Sequence, residues 1–309
     1  MKKGWKIALA AGAGLSVLFA AGVVATKTVF ETRFSGHITT SSSDAWSVYA
    51  FDGIQLEECS FSSDKGQMLA GVKYSIEGLQ PKGVVVFAHG FGAGGQRGYM
   101  DFFHRLMQQG YAVFAYDATA NDKSEGDSVG GLPQGVADLD HAIQYAKQQP
   151  EYAGLPMFLM GYSWGAYSVG NVLNFQPDVQ GAVILAGFDD SAELCVTEFS
   201  GQLGRYGWAA KLLRPCAEVY ERLLFGKYAA VSAMSGFRKS DAPVMIVHGG
   251  KDTTVPPAIG YHKFYAKYGN DPRFTFVYKE NCGHNIMRAS GYLDEVLLDK
   301  IGAFLDSAL

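Results

Sequence analysis

A chain of 309 residues that is 48% hydrophobic and 18% charged can bury a large core, which excludes a disordered or fibrous protein and fits one catalytic-size domain with attachments. Its formal net charge of -4, with no lysine or arginine run in the body, leaves no electrostatic footprint for nucleic acid or for an anionic surface. The four cysteines, Cys59, Cys195, Cys216 and Cys282, are too widely spaced for a zinc or redox pair, so free thiols are expected.

Lys2, Lys3 and Lys6 flank an uncharged apolar stretch from Ile7 to Ala25, close to the ~20 residues that a helix needs to cross a bilayer. Residues 1–28 therefore read as a signal-anchor segment. The lysines would stay on the cytoplasmic side, which places the body outside a single-pass cell-membrane anchor. The rival is a cleaved signal peptide and a secreted body, because Val23-Val24-Ala25 resembles a small-residue cleavage site. Residues 29–53, with Ser41-Ser42-Ser43, read as a juxtamembrane linker.

From residue 54 to 309 the pattern becomes that of a folded domain. Ile54 to Phe61 and Met68 to Ile76 are strand pieces around the turn Asp64-Lys65-Gly66, which predicts an antiparallel hairpin. The Val-rich run Gly83 to Ala88 is a strand, Phe102 to Gln109 has helical spacing, and Ala112 to Tyr116 is a strand again. Pro133 to Gln148 is predicted helical. An apolar strand then opens at Pro156, and a helix runs from Trp164 to Phe175. Gly181 to Ala186, Pro243 to Val247 and Phe274 to Tyr278 are further strands, with helices over Pro256 to Tyr268 and Tyr292 to Leu305. This alternation makes a mostly parallel sheet covered on both faces, an α/β fold. Between about residues 189 and 241 it breaks into helical segments rich in leucine and aromatic residues, which read as a cap.

Chemistry concentrates where strands end. Gly161-Tyr162-Ser163-Trp164-Gly165 is a G-x-S-x-G turn between a buried strand and a helix, the arrangement that presents a serine hydroxyl at the carboxyl edge of a sheet. A serine needs a base to take its proton, and the base needs a carboxylate to fix its tautomer. His284 follows the last strand, and Asp252 follows the strand ending at Val247, so both fall at the same sheet edge. Asp189 and Asp190, after the strand that follows the elbow helix, are the alternative acids. The loop His89-Gly90-Phe91-Gly92 can turn backbone N–H groups toward a developing oxyanion, with the amides of Phe91 and Trp164 as the donors. It lacks the Gly-Lys-Ser/Thr ending of a phosphate-binding loop. His89 reads as a structural hydrogen-bonder, and the acidic set Asp117, Asp122, Glu125 and Asp127 as a solvated loop, since its spacing is not that of a calcium loop. No metal-ligand pattern is present, and neither a metal nor a cofactor is expected.

Over roughly residues 54 to 305 these motifs together resemble the α/β-hydrolase superfamily. The closest likeness is to its membrane-anchored branch, similar to serine aminopeptidases and monoacylglycerol lipases. The matching elements are His89-Gly90-Phe91-Gly92, Tyr116-Asp117 with Ser124-Glu125-Gly126, the elbow, His248-Gly249 through Asp252 with Val255-Pro256, and Gly283-His284. One loop departs: Ala118-Thr119-Ala120-Asn121 stands where such families carry Arg-Gly. The resemblance implies an eight-stranded, mostly parallel sheet with a short helical cap. It also implies a serine hydrolase that forms an acyl-enzyme from a small-molecule ester, or alternatively a peptidase, amidase or acyltransferase using the same triad. A non-catalytic binding protein that keeps the fold is the third reading.

Overall fold

The computed structural model describes residues 2–42, 47, 50–92 and 94–309; the side chains of residues 2–12, 15 and 18 also lie outside that description. Helix α1 (Lys2–Arg33) comes first, followed by the hairpin β1 (Ile54–Ser62) and β2 (Met68–Ile76), paired antiparallel in full register. Then come β3 (Gly83–Ala88), α2 (Met100–Gln108), β4 (Tyr111–Tyr116), α3 (Pro133–Lys147), β5 (Met157–Tyr162), α4 (Trp164–Val172) and β6 (Gly181–Leu185). Four helices intervene: α5 (Ser191–Gln202), α6 (Gly207–Ala210), α7 (Arg214–Phe225) and α8 (Ala233–Lys239). The chain closes with β7 (Val244–Gly249), α9 (Tyr261–Tyr268), β8 (Phe274–Lys279), the short pair β9 (Arg288–Ala289) and β10 (Tyr292–Leu293), and α10 (Glu295–Ser307).

The eight long strands form one sheet in the order β1-β2-β4-β3-β5-β6-β7-β8. β2 meets β4 antiparallel, and every pair from β4 to β8 is parallel. β3, β4, β6 and β7 are buried at every residue, and β5 at all but its ends, because helices cover both faces and leave no solvated side to alternate toward. One apolar layer lies under α3 and α4, the other under α2 and α10. With all the parallel strands running one way, the loops that follow β3, β5, β7 and β8 gather along a single edge.

The amino-terminal segment differs from the sequence expectation. The boundary between anchor and linker at residues 28 and 29 falls inside α1, which continues to Arg33. Phe30 and Phe34 are buried in the main core, with the Phe30 ring edge-on to Tyr220 at 5.4 Å. Beyond the helix, Ile38 N–H donates to Ala120 O (2.9 Å) and Asp122 N–H donates to Ile38 O (2.9 Å), so this stretch is fastened to the body instead of spacing it away. Among the described residues no helix is long and apolar enough to cross a membrane. Much of the apolar run from Ile7 to Ala25 falls on side chains outside the description. At the other end of the chain, Tyr292 and Leu293 pair as β10, and the last helix starts at Glu295, where the Asp294 carboxylate accepts from Leu297 N–H (3.0 Å).

The cap is pinned by buried polar groups. Asp190 caps α5 by accepting from Glu193 N–H (2.7 Å) and faces Arg214 at 3.4 Å. Ser191 Oγ donates to Glu221 of α7. Burial pushes the Glu221 carboxyl from 4.5 up to about 8, so the folded chain holds a proton there that the unfolded chain releases. The stability this confers is complete below pH 4.5 and is lost as the pH rises through about 8. Glu221→Gln keeps the bond to Ser191 without the ionisation. Its melting temperature relative to the parent should therefore climb steadily across that pH window, and a pH-independent difference would contradict a buried neutral Glu221.

Candidate active site

β5 delivers Tyr162, and α4 begins at Trp164, so the reversal from strand to helix is made in a single residue. Ser163 carries it at φ 55° and ψ -113°, a conformation that a residue with a side chain adopts only under constraint. Its N–H donates to Leu185 O (2.8 Å) and its carbonyl accepts from Tyr167 N–H (2.9 Å). The flanking glycines are required by contact. A Cβ at Gly161 would lie 2.3 Å from Gly165 O, and one at Gly165 would lie 1.9 Å from Ala88 O.

His284, in the loop after β8, reaches Ser163 Oγ with Nε2 at 2.9 Å. Its Nδ1 lies 2.7 Å from Asp252 Oδ2, so Nδ1–H donates to the carboxylate and Nε2 is left to face the hydroxyl. The Asp252 side chain has no solvent exposure, and its other oxygen accepts from Thr254 N–H and Val255 N–H, each at 2.9 Å. The two loops are tied together where Lys251 N–H donates to Cys282 O (2.8 Å). His248 lies beneath them, its Nε2 donating to Val255 O (2.9 Å), and burial lowers its pKa so that it stays neutral. Asp189 is engaged elsewhere, by Lys263 (2.6 Å) and Met234 N–H (2.8 Å). Since Asp190 caps α5, the geometry brings Asp252 to the histidine and neither alternative acid.

The loop after β3 is held by a second buried imidazole. His89 Nδ1–H donates to Gly90 O (2.8 Å), and Nε2 accepts from Ala118 N–H (2.9 Å), with burial again keeping the ring neutral. Gly90 N–H donates to the Tyr99 hydroxyl (3.1 Å), whose pKa burial pushes up to about 12. The acidic set beside this loop is solvated only in part: Glu125 and Asp127 are exposed, whereas Asp117 and Asp122 are taken up in hydrogen bonds. Asp117, its carboxyl raised to about 6 by burial, accepts from Gln96 N–H (2.9 Å), and Asp122 accepts from Gly95 N–H (3.0 Å). These carboxylates peg the loop in place.

Ser163, His284, Phe91 and Trp164 line one cavity of about 250 Å³, with Asp252 behind His284. The Phe91 ring stands edge-on to Trp164 at 5.7 Å. Two further residues of this cavity, Arg33 and Phe34, come from the end of α1 and were not anticipated, because their segment reads as a linker. The Arg33 guanidinium lies 5.0 Å from the Phe91 ring centre, and the Phe34 ring stands edge-on to Phe91 at 5.5 Å. The cap stripe divides: Tyr220 and Phe225 are buried in the core, whereas Tyr206, Trp208, Leu212, Leu223 and Leu224 are exposed, and none of these lines the serine cavity.

A family model described as serine aminopeptidase, S33, matches residues 79–219. That span takes in Phe91, Ser163 and Trp164 and stops short of Asp252 and His284. Among solved structures, the chain is similar to an esterase from Pyrococcus furiosus (TM-score 0.65, 18% identity, covering 88% of this chain and 98% of that one). It is also similar to acetyl xylan esterase 1 from Thermoanaerobacterium sp. (0.57, 16%, 89% and 96%). The chain has the α/β-hydrolase fold. A third similar structure is the acylaminoacyl peptidase of Pyrococcus horikoshii (0.58, 14%, 82% of this chain and 41% of that one). No curated protein matches this chain by sequence.

Among the described residues, no group of three His, Cys, Asp or Glu side chains is placed to hold a metal ion. Its four cysteines are free thiols. The elbow contacts yield a direct test. Gly165→Ala sets a methyl against the backbone of Ala88 and should destabilise the fold by about 3 kcal/mol or more. Gly201→Ala, in α5 with open space around it, should be neutral or slightly stabilising. Denaturant unfolding of both variants checks this, and equal effects would contradict the close approach at the elbow.

Proposed function

We propose that this α/β-hydrolase cleaves carboxylic esters through an acyl-enzyme, with Ser163 as nucleophile, His284 as base and then acid, and Asp252 as the group that orients His284. The observation that carries this reading is the unbroken hydrogen-bonded series from Ser163 Oγ through His284 to Asp252, which ends on a carboxylate held by two backbone amides. Ser163 Oγ attacks the ester carbonyl carbon while its proton passes to His284 Nε2, and the carbonyl oxygen takes up the electron pair. The amides of Phe91 and of Trp164, the latter at the first turn of α4 where N–H groups lack intrahelical partners, receive that charge. Collapse of the intermediate expels the alcohol, which takes the proton from His284. Water, deprotonated by His284, then releases the acid and restores the serine.

Esterases among the similar structures support the ester as substrate. The serine aminopeptidase model and the acylaminoacyl peptidase favour a second reading, an amide or peptide bond cleaved by the same atoms. Parallel assay of p-nitrophenyl esters and aminoacyl p-nitroanilides separates the two.

Ser163→Ala should remain folded and lose turnover by about 10⁶-fold if the three residues act as a unit. Asp252→Asn, which leaves His284 in the wrong tautomer, should lower kcat by about 10⁴-fold. Steady-state kinetics on a p-nitrophenyl ester checks both. A mild Asp252→Asn beside a severe Asp189→Asn or Asp190→Asn would move the acid to the end of β6.

A further inference from the structure

The serine cavity does not end at its own walls. A second cavity of about 480 Å³ runs as a groove between the last turns of α1 and helix α5, with Phe30 and Phe199 on its sides. Arg33, Phe34, Cys195 and Glu198 border both cavities, so these side chains form the wall that the two share. Across that junction Arg33 and Glu198 face each other at 3.8 Å, with half and about a third of their side chains exposed. A solvated pair of this kind is weak and yields easily to a group that passes between its members.

The two threonines on the α1 side of the groove are spent on their own helix. Thr28 Oγ1 donates to Val24 O (3.3 Å) and Thr32 Oγ1 donates to Thr28 O (2.9 Å), so each hydroxyl is turned back on the backbone. Both walls are the last turns of helices, where the N–H groups are bonded within the helix and only terminal carbonyls are left over. A peptide laid in this groove would find no row of free N–H and C=O groups to satisfy its own amides. An alkyl chain asks for none.

We propose that the groove is the acyl-chain subsite of the hydrolase, which makes its substrates esters of medium or longer acyl groups; this rests on the ester-hydrolase reading above. The leaving oxygen must face His284 Nε2, which supplies its proton. The acyl chain therefore departs along the Phe91 side, where the Phe34 ring stands edge-on to Phe91 and the Arg33 guanidinium lies over it, and passes the Arg33–Glu198 pair into the groove. Each methylene taken out of water there favours binding by about fourfold. Helix α1, which precedes the whole sheet, thus supplies one wall of the substrate site.

The test uses the full-length protein and two soluble esters, p-nitrophenyl acetate and p-nitrophenyl octanoate. The ratio of kcat/KM on octanoate to that on acetate should exceed about tenfold in the parent, and should fall by at least about tenfold in Thr32→Trp and in Gln202→Trp, which fill the groove from opposite walls. A parent ratio near one, or a ratio that neither variant moves, overturns the subsite while leaving the ester-hydrolase reading intact. Turnover of an aminoacyl p-nitroanilide in preference to both esters overturns it in favour of a peptide. Absence of turnover on any ester by the parent overturns the reading on which it rests.

Discussion

The site depends on a close approach between backbones. The first turn of α4 lies so near the end of β5 and of neighbouring β3 that no Cβ fits at Gly161 or Gly165. That contact holds Ser163 at positive φ and lifts its hydroxyl clear of the sheet. The strand register then does the rest. Ala88 is opposite Gly161, and Gly161 opposite Ile184, in adjacent parallel strands, so the loops leaving these strands rise side by side. β7 and β8 continue the series to the loops that carry Asp252 and His284. A serine, a histidine and a carboxylate separated by up to 121 positions in sequence are brought into bonding distance by strand direction alone.

Three imidazoles near this edge show how environment assigns a role. His89 and His248 are buried and kept neutral by desolvation, and they fix loops, His89 through both ring nitrogens and His248 through Nε2. His284 is the partly exposed one, and its two nitrogens meet a carboxylate on one side and the serine hydroxyl on the other. Only this ring can exchange a proton with a substrate in the cavity. The buried pair serves it indirectly, His248 beneath the Asp252 loop and His89 beneath the loop of Phe91.

Much of this was legible in the sequence because strong local signals coincided with the global fold. The β2, β3 and α3 starts fall where the apolar runs and Pro133 place them, and the elbow, Asp252 and His284 meet as their positions after strands imply. What escaped was tertiary. Phe30 and Phe34 are spaced one helical turn apart, a signal that an apolar amino-terminal helix makes everywhere, so their docking onto Tyr220 and Phe91 could not be told from an exposed segment. The acidic residues after β4 carry the composition of a solvated turn, yet Asp117 is buried because the backbone amides of residues 96 and 123 converge on it. Among the aromatic and leucine residues of the cap, Tyr220 and Phe225 are buried while Trp208, Leu212, Leu223 and Leu224 are exposed, a division that helical spacing alone does not announce.

The proposed activation of Ser163 by His284 is tested most directly by treating the 309-residue protein with a fluorophosphonate and locating the adduct by peptide mass spectrometry. The expected result is phosphonylation confined to Ser163 and lost in a folded His284→Ala variant. A Ser163 that stays unmodified in the parent, or labelling that persists undiminished without His284, would contradict it.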